Sequence, residues 1–105
     1  MKLMTKGLRR KIPPLYSTEK ESDPAVQAKF FTPDSSWTWY VLEFDGNDTF
    51  FGLVYGLEVE FGYFSLRELS TVSGPLGLKV ERDLHFGPCP LSEVRHRHAG
   101  VHTEA

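Results

Sequence analysis

Trp37-Thr38-Trp39-Tyr40-Val41-Leu42-Glu43-Phe44, then Asp45-Gly46-Asn47-Asp48, then Thr49-Phe50-Phe51-Gly52-Leu53-Val54-Tyr55: this stretch decides the fold. Its flanks are dense in aromatic and β-branched residues, which fit a pleated, half-buried surface. The four residues between them carry hairpin chemistry, because Gly accepts positive φ and Asp and Asn bond nearby backbone. Two antiparallel strands joined by a tight turn are expected here.

Further strands extend the pattern on both sides. Upstream, Ala28-Lys29-Phe30-Phe31-Thr32 is short and β-prone, and Pro33-Asp34-Ser35-Ser36 turns it into the central hairpin. Downstream, a turn near Gly56 leads into Val59-Glu60-Phe61-Gly62-Tyr63-Phe64. Short connections between neighbours favour an antiparallel meander. Ser65-Leu66-Arg67-Glu68 is a capping box, so a brief helix to about Thr71 should follow the fourth strand. At the start of the chain, Thr5 can cap a helix with an apolar stripe of Met4, Leu8 and Ile12, which Pro13-Pro14 ends. Residues 15–25 form a polar connection.

After the turn at Gly74-Pro75-Leu76-Gly77, residues 79–86 alternate as a last strand. Val80, Leu84 and Phe86 should face inward, and Lys79, Glu81, Asp83 and His85 outward. Arg82 breaks the inner row and must reach the sheet edge or an acidic partner. The expected architecture is α+β: an antiparallel meander of four to five strands, an N-terminal helix and a short helix after the fourth strand. One domain over residues 1–94 is expected, with 95–105 as a frayed, basic, histidine-containing tail starting at Arg95-His96-Arg97-His98.

A chain of 105 residues with 40% hydrophobic and 25% charged content has a globular balance, and its length suits one domain. Cys89 is the single cysteine, which points to a reducing compartment. The N-terminus lacks the apolar run of a signal peptide, and no long apolar run suggests a membrane span, so a cytoplasmic location is expected. Net charge is −2, which does not recommend nucleic acid as a partner. The charges are segregated, however. Lys2, Lys6, Arg9, Arg10, Lys11, Lys20 and Lys29 face only Glu19, Glu21 and Asp23 in the first part. Asp34, Glu43, Asp45, Asp48, Glu58, Glu60 and Glu68 dominate the middle, against Arg67.

Candidate binding residues are Lys29, Trp37, Trp39, Glu81, Arg82 and Asp83. Trp37 and Trp39 project from one strand face and can stack bases, with Lys29 and Arg67 for phosphates. A period-two aromatic stripe also serves as core. Glu81, Asp83 and His85 share a strand face at spacings a divalent metal would accept, and Glu58 or Glu60 would complete a nuclease-like set. Such residues equally make an ordinary solvated face. His96, His98 and His102 are weak metal candidates. No cofactor motif, P-loop or nucleophile elbow is present, and neither a catalytic residue nor a metal ligand is assigned.

Several blocks recur together in one order: Leu3-Met4-Thr5, Pro13-Pro14-Leu15-Tyr16, Ala28 to Ser35, Trp37 to Tyr40, Phe50-Phe51-Gly52, Gly62 to Leu66, Gly74 to Leu78 and Glu81-Arg82-Asp83. In these the chain resembles the bacterial family known as domain of unknown function 2958, over roughly residues 3–94. The resemblance implies an accessory protein of plasmids and other mobile elements, encoded near DNA-processing or antirestriction genes. It carries over no catalytic residue and no cofactor. The function expected is a non-catalytic interaction module serving element maintenance or DNA metabolism, with a protein or nucleic-acid partner. The alternatives are a small metal-dependent nuclease using Glu81, Asp83 and an acid from 58–60, and an antirestriction or host-defence inhibitor presenting the acidic middle segment.

Overall fold

A computed structural model describes residues 2–103, with side chains described through residue 99. The chain runs through α1 (Lys6–Lys11), β1 (Ala25–Val26), β2 (Ala28–Phe31), β3 (Thr38–Phe44), β4 (Thr49–Tyr55), β5 (Val59–Ser65), α2 (Leu66–Thr71), β6 (Glu81–Arg82), β7 (Cys89–Pro90) and α3 (Leu91–Thr103). Five strands make one antiparallel sheet in the order β5-β4-β3-β2-β6, and β1 pairs with β7 in a separate ribbon. No helix among the described residues is long and apolar enough to cross a membrane.

Local chemistry sets the element ends. Thr5 Oγ1 accepts the Leu8 N–H at 3.1 Å to start α1. Asp45 Oδ1 accepts the N–H groups of Asn47, Asp48 and Thr49 and closes the central hairpin beside Gly46 at φ 86°. Those bonds hold the Asp45 carboxyl below the usual carboxylate range, led by the Asn47 and Asp48 N–H groups. Ser65 Oγ caps α2 through the Glu68 N–H at 2.9 Å.

One sheet face packs under residues 3–12 and α2. Phe50 is its centre, stacked on Phe44 (4.4 Å) and Phe64 (5.3 Å) and edge-on to Phe30 (5.6 Å), with Met4, Ile12, Trp39 and Leu69 around them. Each such aromatic pair adds about 0.5–1.5 kcal/mol beyond its burial. The other face packs under α3 and the β1–β7 ribbon, through Val26, Tyr40, Leu42, Leu53, Leu91 and Val94.

The last part of the chain departs from expectation. The strand expected over 79–86 is only Glu81–Arg82, paired with Phe31 and Phe30 at the far sheet edge. Asp83 ends it: its N–H makes a last ladder bond to the Lys29 carbonyl at 2.9 Å, and its Oδ1 then accepts the His85 N–H at 2.9 Å, which turns the backbone out of the sheet. Val80 is buried as expected, Phe86 packs beneath α3, and Leu84 is 64% exposed rather than inward. The segment from Arg95, expected to fray, continues α3 to Thr103. Leu91, Val94 and His98 recur on the side facing the sheet, and Asp23 holds the helix start through the Ser92 N–H (2.8 Å) and hydroxyl (2.6 Å). That cap comes from far upstream, so local sequence does not display it.

Candidate functional site

The register of β3 against β4 shifts between Val41 and Glu43. A bulge of this kind re-aims side chains. Here it puts Leu42 and Glu43 on one side, both lining a groove against residues 16–24. Gly52 lies opposite the irregularity, where a Cβ would come within 1.8 Å of the Tyr40 carbonyl oxygen.

Glu43 is only 3% exposed. Its Oε1 accepts the Tyr16 N–H at 2.8 Å, and its Oε2 accepts the Thr18 N–H at 3.0 Å and the Thr18 hydroxyl. A buried carboxyl is tolerable only when so bonded. The same bonds hold Tyr16 at φ 70°, a left-handed conformation that costs a non-glycine residue roughly 1–2 kcal/mol. The consequence is positional: the Tyr16 ring stands on the rim, 62% exposed, and lines the groove together with Tyr63. Hydrogen-bonding interaction with the Tyr16 phenol, ahead of all other causes, raises the Tyr63 phenol above its ordinary pKa.

The groove holds about 340 Å³. Phe51, Phe61 and Tyr63 form its sheet wall, with ring centroids 6.1 Å from Phe51 to Phe61 and 5.0 Å from Phe51 to Tyr63. Glu19 and Glu21 lie on the opposite wall. At one end the Arg95 guanidinium sits 5.3 Å over the Phe61 ring. The wall already engages a cation, as the negative face of an aromatic ring favours.

The six residues read from sequence do not meet in one place. Lys29 and Asp83 form an ion pair at 3.7 Å in a separate cleft of about 340 Å³ with Tyr40, His85, Arg97 and His98. There the Tyr40 hydroxyl and His98 Nε2 are 2.7 Å apart, and His98 stacks on Tyr55 at 3.7 Å. Burial, ahead of all other causes, pushes the Tyr40 phenol up to about 12 and also raises Tyr55. Arg82 lies on β6, and its guanidinium donates to the Leu3 carbonyl at 3.0 Å, which ties down the N-terminal segment. Glu81 lies on β6, opposite Phe31.

Trp39 is buried at 7% exposure, whereas Trp37 precedes β3, is 38% exposed, and lies against Gly56, where a Cβ would meet its ring at 2.4 Å. Trp37 shares its surroundings with Glu58 and Glu60, which disfavour phosphates. The nuclease-like set is not assembled. Glu60 sits on β5 and Glu81 on β6, at opposite edges of the sheet, and no group of three or more His, Cys, Asp or Glu side chains converges among the described residues. The side chain of His102 lies outside the described residues.

The acidic middle segment is largely consumed by backbone. Glu43 is buried, Asp34 Oδ2 accepts the Leu76 N–H at 2.7 Å, Asp45 holds its turn, and Asp48 Oδ1 accepts the Arg67 N–H at 2.9 Å. Glu43, Tyr16, Phe61 and Tyr63 were not singled out from sequence. The available signal was Glu43 itself, a lone acid within the apolar run Trp39 to Phe44.

A family model described as "Protein of unknown function (DUF2958)" matches residues 3–99. No curated protein and no solved structure matches the chain.

Proposed function

We propose that this chain, which belongs to the DUF2958 family, is a non-catalytic interaction module whose groove takes a positively charged segment of a partner protein. The observation that carries the reading is Arg95 poised over Phe61 at the end of an aromatic wall that faces Glu19 and Glu21. A lysine or arginine entering beside Tyr63 and Phe51 would meet the same ring faces, a contact of about 0.5–1 kcal/mol when exposed and about 2 kcal/mol when desolvated. The two carboxylates would steer its approach. Glu43 supports a binding role over an acid–base role, because its oxygens are already engaged by Tyr16 and Thr18. Service to a plasmid or other mobile element, in maintenance or DNA metabolism, is part of the same proposal.

Titration with a short Lys/Arg peptide and with its Glu-substituted counterpart, followed by NMR, tests the reading. Resonances of Tyr16, Phe61 and Tyr63 should shift with the cationic peptide alone, and binding should weaken as salt rises. Equal response to both peptides, or none at these residues, defeats it. One observation favours a second reading. Lys2, Arg9 and Lys79 line a single cleft beside the exposed Lys6, Arg10 and Lys11, a surface suited to a phosphate backbone. Short duplex DNA added to the same sample should then perturb α1 and leave the groove unchanged.

A further inference from the structure

The two edges of the five-stranded sheet are not equivalent. The β6 edge is two residues long, and the Lys29–Asp83 ion pair and the Arg82 contact with Leu3 lie beside it. The β5 edge runs from Val59 to Ser65, and no strand among the described residues pairs with its outer side. Folded proteins usually protect such an edge with proline, lysine, a bulge or a short strand. β5 has none of these: its register with β4 is unbroken from Tyr55–Val59 to Thr49–Ser65, and its sole charge is Glu60.

The ladder tells which backbone groups are spare. Gly56 N–H donates to the Glu58 carbonyl at 3.0 Å, and Leu66 N–H donates to the Asp48 carbonyl at 2.8 Å, at the two ends of one register. Hydrogen-bonded and non-bonded pairs alternate along an antiparallel ladder. Gly62 and its even-numbered neighbours therefore face β4, and Val59, Phe61, Tyr63 and Ser65 present their N–H and C=O groups to the open edge. Val59, Phe61 and Tyr63 are 52%, 46% and 57% exposed.

We propose that this edge pairs with β5 of a second copy, antiparallel about a twofold axis at Gly62. That register sets Phe61 opposite Tyr63 of the other copy and Val59 opposite Ser65, so every outward backbone group finds a partner. Phe61–Tyr63 pairs, repeated by the twofold, extend the aromatic row begun by Phe51. Charge agrees with the register. Glu60 comes opposite Phe64 and not opposite its own copy, and Glu58 comes to the end of the strand where Arg67 of the other copy opens α2. An isologous contact of this kind closes as a dimer and exposes no further edge of the same type.

Sedimentation across a concentration series, with amide exchange on the same samples, tests the pairing. The wild-type chain should dimerise, with concentration-dependent protection at Val59, Phe61, Tyr63 and Ser65. Val59→Pro removes one outward N–H at the first residue of the strand, where proline is compatible with the fold. It should stay monomeric at concentrations that dimerise wild type, with an unchanged circular dichroism spectrum. Glu58→Arg should weaken the dimer, and adding Arg67→Glu should restore it. A wild-type chain that is monomeric throughout, or a dimer indifferent to Val59→Pro and to the charge swap, overturns the proposal. Val59 does not line the groove, so peptide titration of the Val59→Pro monomer reports on the groove separately.

Discussion

The two faces of the sheet are made of different chemistry. Under residues 3–12 and α2 the buried cluster is Leu3, Met4, Ile12, Ala28, Phe30, Trp39, Val41, Phe44, Phe50, Phe64, Leu69 and Val80, none of which ionises near neutral pH. Under α3, Tyr40 is buried among aliphatics and the rings of Tyr55 and Phe86, His98 bonds its hydroxyl and stacks on Tyr55, and Glu43 is enclosed at the groove. Buried polar groups cost stability unless they are bonded, and these are: Tyr40 to His98, and Glu43 to Tyr16 and Thr18. The hydrocarbon face holds the fold together, and the α3 face gives up some apolar packing to shape a groove and a polar cleft.

The largest expected effect lies on the hydrocarbon face. Trp39→Ala should cost about 3–5 kcal/mol in denaturant unfolding, from lost transfer energy and the cavity left behind. Trp37→Ala, removing a ring that is 38% exposed, should cost much less. Equal losses for the two would mean that both rings bear on the core and would erase the contrast between packed face and surface.

On the α3 side the sharper probe is Glu43→Gln, which keeps the volume and turns one acceptor into a donor. The Tyr16 or Thr18 N–H then loses its partner, at a cost of about 1–3 kcal/mol. The Tyr16 ring should leave the rim, seen as a change in its NMR contacts with Tyr63. An unchanged melting temperature together with unchanged Tyr16–Tyr63 contacts would show that Glu43 does not organise the groove.

The smallest effect is confined to alkaline solution. Burial pushes the Tyr40 phenol up to about 12 in the folded chain, from the ordinary 10.0 that it has when unfolded. Stability should therefore be unaffected by this group below about pH 10 and fall as pH rises from there toward 12, because the unfolded chain gives up the proton first. Tyr55 and Tyr63 are raised as well, so their ionisation acts in the same direction. Tyr40→Phe should make the alkaline decline shallower without abolishing it. An identical pH profile for this variant would remove Tyr40 from the account.

These contrasts separate what was legible along the chain from what was not. Thr5 capping α1, Asp45 closing the hairpin and Ser65 capping α2 were all readable, because donor and acceptor lie within a few residues and local geometry alone pairs them. The strands from β2 to β5 were readable because their apolar pattern and turn residues agree. Along the chain Glu43 is one more acid of the middle segment, since nothing nearby announces that Tyr16 and Thr18 will arrive as its donors. The continuation through Arg95 looks like a tail in sequence, since its face and its Asp23 cap exist only once the sheet is assembled.

By itself, then, the sequence determined the α+β class, the central hairpin, the short helices and the family. The tertiary structure decided the bulge that turns Glu43 inward, the left-handed Tyr16, the end of β6 at Asp83 and the bare edge of β5. The physical reason is range: caps and turns are settled by neighbours in the chain, whereas a buried carboxyl, a groove or a free edge depends on which distant backbone groups pack beside it.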